Sequence, residues 1–487
     1  MRSDIQYIYP RSKQKNSDSD YCMAKTENCD VVLIVSGSDM DAFDGEAIVT
    51  PEKTYKQCPL SVENSKALRK IFNFTSPVRH KGRDVTIGLG DRLGLASGGH
   101  IRLLRESDVF PVLAQQSIRE LNLTGRTYED VLSAAVWAVF REGYTKGFGA
   151  DGDHLKTHDE VRNALECGFS MITLDCSEHI PSELDCASQA EINTRYAELP
   201  ADVTGALEKL YLNKTIAVSG DVMLSFCYDD FKRIVLVYLP AIEHAINIFD
   251  ELINNKDIDF EVSIDETLST TSPQAHYFVA SELVRHGVEI TSLAPRFVGE
   301  FQKGIDYRGD ISLFERDFLV HAEIAKMFGY KLSIHSGSDK FSVFPIIHRL
   351  TDGKYHLKTA GTNWLEAVRV IAKCSPELYR EIHAFALSNL QEAKKCYHIT
   401  ENTDYIADLS DVSDNMLPDY LNQDDARQVL HITYGLILQA KNPDGSTLFK
   451  DRIFDVLYEH EEEYFTALEE HIGKHLAALG IDETVKG

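Results

Sequence analysis

DVTIGLG (84–90), FPVLAQ (110–115), KGFGA (146–150) and FSMITLD (169–175) are short extended-looking runs, most of them rich in β-branched residues, that close on polar or glycine-bearing turns. DFEVSID (259–265), EITSLA (289–294), KLSIH (331–335) and YHLKT (355–359) continue the series. Amphipathic stretches lie between them. YEDVLSAAVWAVFREG (128–143), DDFKRIVLVYLPAIEHAINIFDELI (229–253), SPQAHYFVASELVRHG (272–287) and SLFERDFLVHAEIAKMFG (312–329) all repeat apolar residues every three or four positions, the helical period. Eight strand-like runs alternating with crossover helices predict an α/β fold, a parallel sheet closed as a (β/α)8 TIM-like barrel.

Working outward, residues 29–373 are read as the barrel domain, with a mainly helical insertion at about 180–228 where the strand rhythm breaks. The segment 374–487 is rich in helix formers and acidic residues and reads as a helical extension that packs on the barrel or serves a homo-oligomer. HITYGLIL (431–438) fits a strand or a buried helix equally, because a short apolar run has no decisive period. Residues 1–28 are polar and basic and read as a loosely ordered arm.

Composition narrows the class. The chain has 487 residues, 43% hydrophobic and 26% charged, the balance of a globular protein with a real core. Lysine and arginine total 50 against 76 acidic residues, a formal charge of −26, so the long-range field repels nucleic acid and anionic membrane. An anionic ligand therefore has to meet local cations. No run approaches the roughly 20 apolar residues of a membrane span, and the first 20 residues lack a signal-peptide core, which points to the cytoplasm. Nine scattered cysteines without a CxxC pair suit reduced thiols.

In a barrel of this type the reactive groups come from the C-terminal ends of the strands. Those ends carry GDRLGLASGGH (90–100), DGDHLKTH (151–158), DCSEHI (175–180), DET (265–267), PRFVGEFQKG (295–304), HSGSDK (335–340) and LKTAGTNW (357–364). His154, His335 and Glu300 follow three different runs and make a His/His/carboxylate set suited to a divalent cation, with zinc, manganese, nickel, cobalt and iron all admissible. Asp175, His179, Asp265 and His276 are alternative ligands, although His276 sits in a helical pattern and suits a packed face. Asp153 and His154 are adjacent, and alternation along a strand would turn one toward a metal and the other toward substrate. Glu266, ending an apolar run, is a candidate acid or base. Lys156, Arg296, Lys303, Lys340 and Lys358 offer positive charge for an acidic ligand, and Asp175, Ser336 and Thr359 complete the expected substrate contacts. GLGDRLG lacks the full GxGxxG pattern, so a tightly bound nicotinamide is not expected.

Seven strings taken together, GLGDRLGLASGGH (88–100), GFGADGDHLKT (147–157), TLDCSEHI (173–180), IDET (264–267), LAPRFVGEFQKGIDY (293–307), IHSGSDKFSVFP (334–345) and YHLKTAGTNWLEA (355–367), resemble the tagaturonate/fructuronate epimerase family of hexuronate catabolism. The resemblance implies a barrel, a divalent metal, and interconversion of D-tagaturonate and D-fructuronate at C4. It implies metal ligation by His154, His335 and a third group placed at Glu300, with Asp153 as base and Glu266 as acid. The C4 proton is not adjacent to the C2 ketone, so its direct removal gains no enolate stabilisation; retro-aldol cleavage with re-addition and transient oxidation at C4 by a bound cofactor remain, and the missing dinucleotide loop favours the first. A ketohexose 4-epimerase, a metal-dependent aldolase or ketose isomerase, and a sugar-acid binding protein remain the alternatives.

Overall fold

The computed structural model describes residues 5–481 apart from Glu52, Lys81, Leu268, Cys396, His398, Glu401 and Ala407. Eight parallel strands close on one another: β1 (Val85–Gly88), β2 (Phe110–Ser117), β3 (Gly149–Leu155), β4 (Met171–Asp175), β5 (Asp259–Ser263), β6 (Ser292–Ala294), β7 (Lys331–Ile334) and β8 (Tyr355–Lys358). Closure is made by β8 against β1, with Tyr355 opposite Val85 and Lys358 opposite Gly88. All eight expected runs supply a strand. The third lies further along than KGFGA, because the glycine- and aspartate-rich GADGDHL is held extended by neighbours on both sides rather than by its own propensity.

The alternation inside the runs explains the barrel's unusual interior. In β5, Phe260 and Val262 are apolar while Asp259, Glu261 and Ser263 form the other face, and every one of the five is buried. In β8, Tyr355 and Leu357 alternate in the same way with His356 and Lys358. Barrels of this type usually fill with branched apolar side chains. Here Gln115, Asp151, Thr173, Glu261 and Lys358 occupy the interior, and such groups are tolerated only when they satisfy one another. After β2 and β3 the chain turns sharply into helices because Ser117 with Glu120, and Thr157 with Glu160, form complete capping boxes.

The N-terminal region departs from the expected loose arm. Described residues from Ile5 onward form strands, and Ser19–Thr26 pairs with Val31–Ser36 in a six-stranded antiparallel sheet that ends at Pro59. No boundary falls at residue 28, and the barrel strands begin at Val85 rather than near 29. A polar composition misleads here because a sheet half covered by the barrel alternates exposed and buried residues; Tyr21, Met23, Leu33 and Val35 are its buried face. The segment 180–228 holds helices Gln189–Ala197 and Ala201–Tyr211 and a small hairpin of Thr215–Ala217 with Met223–Ser225. Beyond residue 374 the named elements are all helices, and HITYGLIL lies across Asp424–Ile432 and Tyr434–Gln439. These helices share a second apolar core with Trp364 and Leu365, so the extension is packed on the barrel.

Burial keeps several histidines neutral. It pushes His100, His383 and His475 each down to about 4. Their folded values lie below the unfolded value of about 6.5, so the stability they contribute is complete above that pH and is lost as the pH falls toward 4. Going from pH 7 to pH 5 is expected to cost about 2 kcal/mol for each. Thermal melts at the two pH values check this, and an unchanged Tm would show that these rings are protonated in place.

Candidate active site

The C-terminal mouth of the barrel opens into a cavity of about 340 Å3 whose wall includes Asp153, His154, Asp265, Glu266, Arg296, Lys303, His335, Ser336 and Lys358. His335 follows β7 directly. Its Nε2–H donates to Glu261 Oε1 at 2.8 Å, and Ser292 holds the other Glu261 oxygen. His335 Nδ1 lies 3.2 Å from Asp265 Oδ2, yet this buried nitrogen makes no directed hydrogen bond. His154 repeats the arrangement: Nδ1 is bound to Asp153 Oδ1 at 2.8 Å, leaving Nε2 free, 4.0 Å from Glu266 Oε1. The two rings are 4.9 Å apart at their centroids.

Strand alternation would have sent Asp153 and His154 to opposite sides, and the structure corrects that expectation. His154 has φ +55°, and the β3–β4 register shifts between Gly152 and Leu155. This irregular step swings the imidazole back beside the Asp153 carboxylate. One ligand atom each from His154, Asp265 and His335 lies within 4.8 Å of the others. Each imidazole thus has one nitrogen fixed by a buried carboxylate and the other turned into a space shared with Asp265, which is how histidines are oriented for a cation.

Glu300 is not part of this cluster. It is exposed, pairs through its backbone with Arg308 and accepts a hydrogen bond from the Gln302 amide. Asp265, one of the alternative ligands, occupies the place expected for it, because β5 ends beside β7 across only β6. His179 instead stacks on His244 at 4.0 Å, and His276 is buried in a hydrogen bond with His321.

Lys358 is the electrostatic centre of the barrel floor. Its Nζ stands 2.6 Å from Asp153 Oδ1, 2.9 Å from Glu261 Oε1 and 3.2 Å from Asp151 Oδ2, and donates to Thr173 Oγ1 at 2.7 Å. Burial works against this ammonium, but the Asp151, Asp153 and Glu261 carboxylates raise it well above the ordinary lysine value. Asp153 is buried too, yet His154 and Lys358 hold it well below the usual carboxylate range. Its Oδ1 already accepts from His154 Nδ1 and Lys358 Nζ, which leaves it poorly placed for the expected role of base. Asp153 orients His154 instead. Burial also opposes charge on His335, but Asp265 and the hydrogen-bonded Glu261 push it up to about 10.

Among the expected cations, three change role. Lys358 is consumed by the floor carboxylates. Lys340 is fully buried and donates to the carbonyls of Gln302, Ile305 and Ser338, so it pins loops and holds no ligand. Lys156 is taken up by Glu178 at 3.2 Å and Asp175 at 3.5 Å, which also accounts for Asp175. Thr359 seals the barrel through Gly88 O rather than facing the cavity. Ser336 does line the cavity, in a left-handed turn of φ +49°. Arg296 and Lys303 line it with no ion pair to a described carboxylate, and burial together with Arg119 lowers the Lys303 ammonium.

Other site residues escaped the sequence reading. Arg119, just past β2, lies over the Tyr397 ring at 5.0 Å and also lines the cavity. His431 comes from the C-terminal extension and is buried, with neither ring nitrogen hydrogen-bonded among the described residues. Its ring occupies the space a side chain at Gly361 would need, 2.3 Å from where that Cβ would stand. Glu261 was legible, since alternation in DFEVSID places it on the inner face, whereas nothing local marks Arg119 or His431.

A family model described as tagaturonate epimerase matches residues 9–479. The tagaturonate/fructuronate epimerase of Thermotoga maritima is 40% identical over 478 residues, covering 97% of this chain and 96% of that protein. Crystal structures of the fructuronate-tagaturonate epimerase of Cohnella laeviribosi, native and with one glycerol, superpose with a TM-score of 0.95 at 52% identity, covering 98% of this chain and 97% of theirs.

Proposed function

Since the chain belongs to the tagaturonate epimerase family, an isomerase family, we propose that it interconverts D-tagaturonate and D-fructuronate by breaking and remaking the C3–C4 bond at a divalent-cation site. The carrying observation is the pair of imidazoles, each clamped by a buried carboxylate and each presenting its second nitrogen beside Asp265. The orphaned, buried His335 Nδ1 fits a metal ligand. His154, Asp265 and His335 would hold zinc, manganese, nickel, cobalt or iron, and such an ion supplies Lewis-acid polarisation of the substrate ketone.

The protein's own groups account for the rest. Arg119, Arg296 and Lys303, which pair with no carboxylate among the described residues, offer positive charge to the C6 carboxylate inside a very acidic protein. Glu266 reaches the cavity and takes the C4 hydroxyl proton. As the C3–C4 bond breaks, its electron pair becomes the C2–C3 enediolate and C4 becomes an aldehyde. The carboxylate anchor keeps that fragment in place while the aldehyde turns its other face. The enediolate carbon then attacks, and the new C4 alkoxide regains a proton from Glu266 or from Lys303, whose burial eases proton release.

Reaction of fructuronate in D2O, followed by NMR, tests the scheme. Six carbons should be retained, C4 should invert, and no deuterium should enter at C4, because that C–H bond never breaks; deuterium at C4 would overturn it. The ligand set has its own check. Asp265→Ala and His335→Ala are expected to lower the metal-to-protein ratio at a fixed free-metal concentration by at least about 10-fold, whereas Glu300→Ala retains metal. A metal-replete His335→Ala protein would refute the site.

A further inference from the structure

The barrel has a second mouth, at the N-terminal ends of β5 to β8 and β1. A cavity of about 670 Å3 opens there, larger than the one beside His335. Its wall carries Arg79, Arg83, Lys256, Lys326, Lys331 and Lys354 against Asp84 and Glu289. Six cations against two carboxylates on this wall reverse the balance of a chain whose net charge is −26.

Some of these cations are already neutralised. Arg79 pairs with Asp257 and Asp259, and Lys326 with Glu323 and Asp352. The inner end of the cavity is different. Among the described residues, Lys331 Nζ, shielded from solvent, has no hydrogen-bond partner, and both ring nitrogens of His80, 2% exposed, are equally unbonded. The nearest acid to His80 is Asp259, 3.6 Å from Nε2. A buried donor left without a partner costs about 1–3 kcal/mol, more when charged. Burial lowers the Lys331 ammonium to about 8, which Asp259 and Asp84 only partly offset. The barrel's reactive end cannot account for this arrangement: Lys331 opens β7 and His335 follows its end, about 13 Å away at 3.3 Å per residue.

Phe249, Ile258 and Ile290 give the same cavity an apolar side. We propose that this N-terminal mouth is a binding site for a small organic anion, a phosphate monoester or a dicarboxylate, whose charged end is met by Lys331, Lys354 and His80 and whose carbon skeleton lies on the apolar wall. Volume and mixed lining match a ligand-binding pocket.

Calorimetric titration of the full-length, metal-loaded protein with inorganic phosphate and, separately, succinate tests the site and distinguishes the two chemistries. One probe should bind saturably, and Lys331→Met should weaken it at least about 10-fold, as should Lys354→Met, with kcat on fructuronate unchanged. Binding should also weaken between pH 7 and 9 as Lys331 loses its proton. Lys303→Met, altered at the other mouth, should leave the affinity intact. Failure of both probes to bind, or binding lost in Lys303→Met and kept in both Lys331→Met and Lys354→Met, would overturn the proposal.

Discussion

Glu266→Gln is expected to lower kcat by about two to four orders of magnitude while leaving metal content and Tm unchanged. The glutamine keeps the size of a side chain that is 43% exposed, so packing has little to lose. What disappears under the proposed scheme is the carboxylate that exchanges the C4 hydroxyl proton. Steady-state rates with atomic-emission metal analysis on the same sample separate the two effects. Asp153→Asn should behave differently: it loosens His154 and lowers metal affinity about 10- to 100-fold, with activity largely recovered by added metal. Near-normal turnover in Glu266→Gln would remove the residue from the reaction.

Lys358→Met should be the most destabilising single change in the barrel, by roughly 3–5 kcal/mol. The substitution leaves Asp151, Asp153 and Glu261 together in a closed interior without the ammonium that neutralises them. Chemical denaturation at pH 7 measures the loss. Part of it should return at lower pH. Burial and its acidic neighbours already raise Asp151 to about 6 even with Lys358 beside it, so without that cation the carboxyl takes up a proton still more readily, and a neutral acid relieves the repulsion. A loss below about 1 kcal/mol would mean that water or ions enter the floor and replace the lysine.

The sequence reading and the structure diverge where side-chain direction matters. Asp153 and His154 do line the cavity that their position at a strand end suggested, but the expectation that they face opposite ways assumed regular alternation, and the positive φ of His154 broke it. Glu300 was chosen because GEFQKG follows a strand, and the loop carries it outward to Arg308 instead. Lys340 and Lys358 were grouped with Lys303 as ligand-facing cations. Only the packing shows that two of them spend their protons on carbonyls or carboxylates of the protein itself.

The eight runs, their order and the polar cluster at their C-terminal ends follow from the sequence, because strand period and helix period are local properties of the chain. The same period shows that Glu261 and Lys358 face the barrel axis. Which nitrogen of each imidazole is free, which carboxylate stands between them, and that Arg119 and His431 share one cavity are decided by contacts between residues far apart in the chain. Those contacts depend on barrel closure, strand stagger and one irregular step at His154, and no local pattern encodes a distance across the barrel.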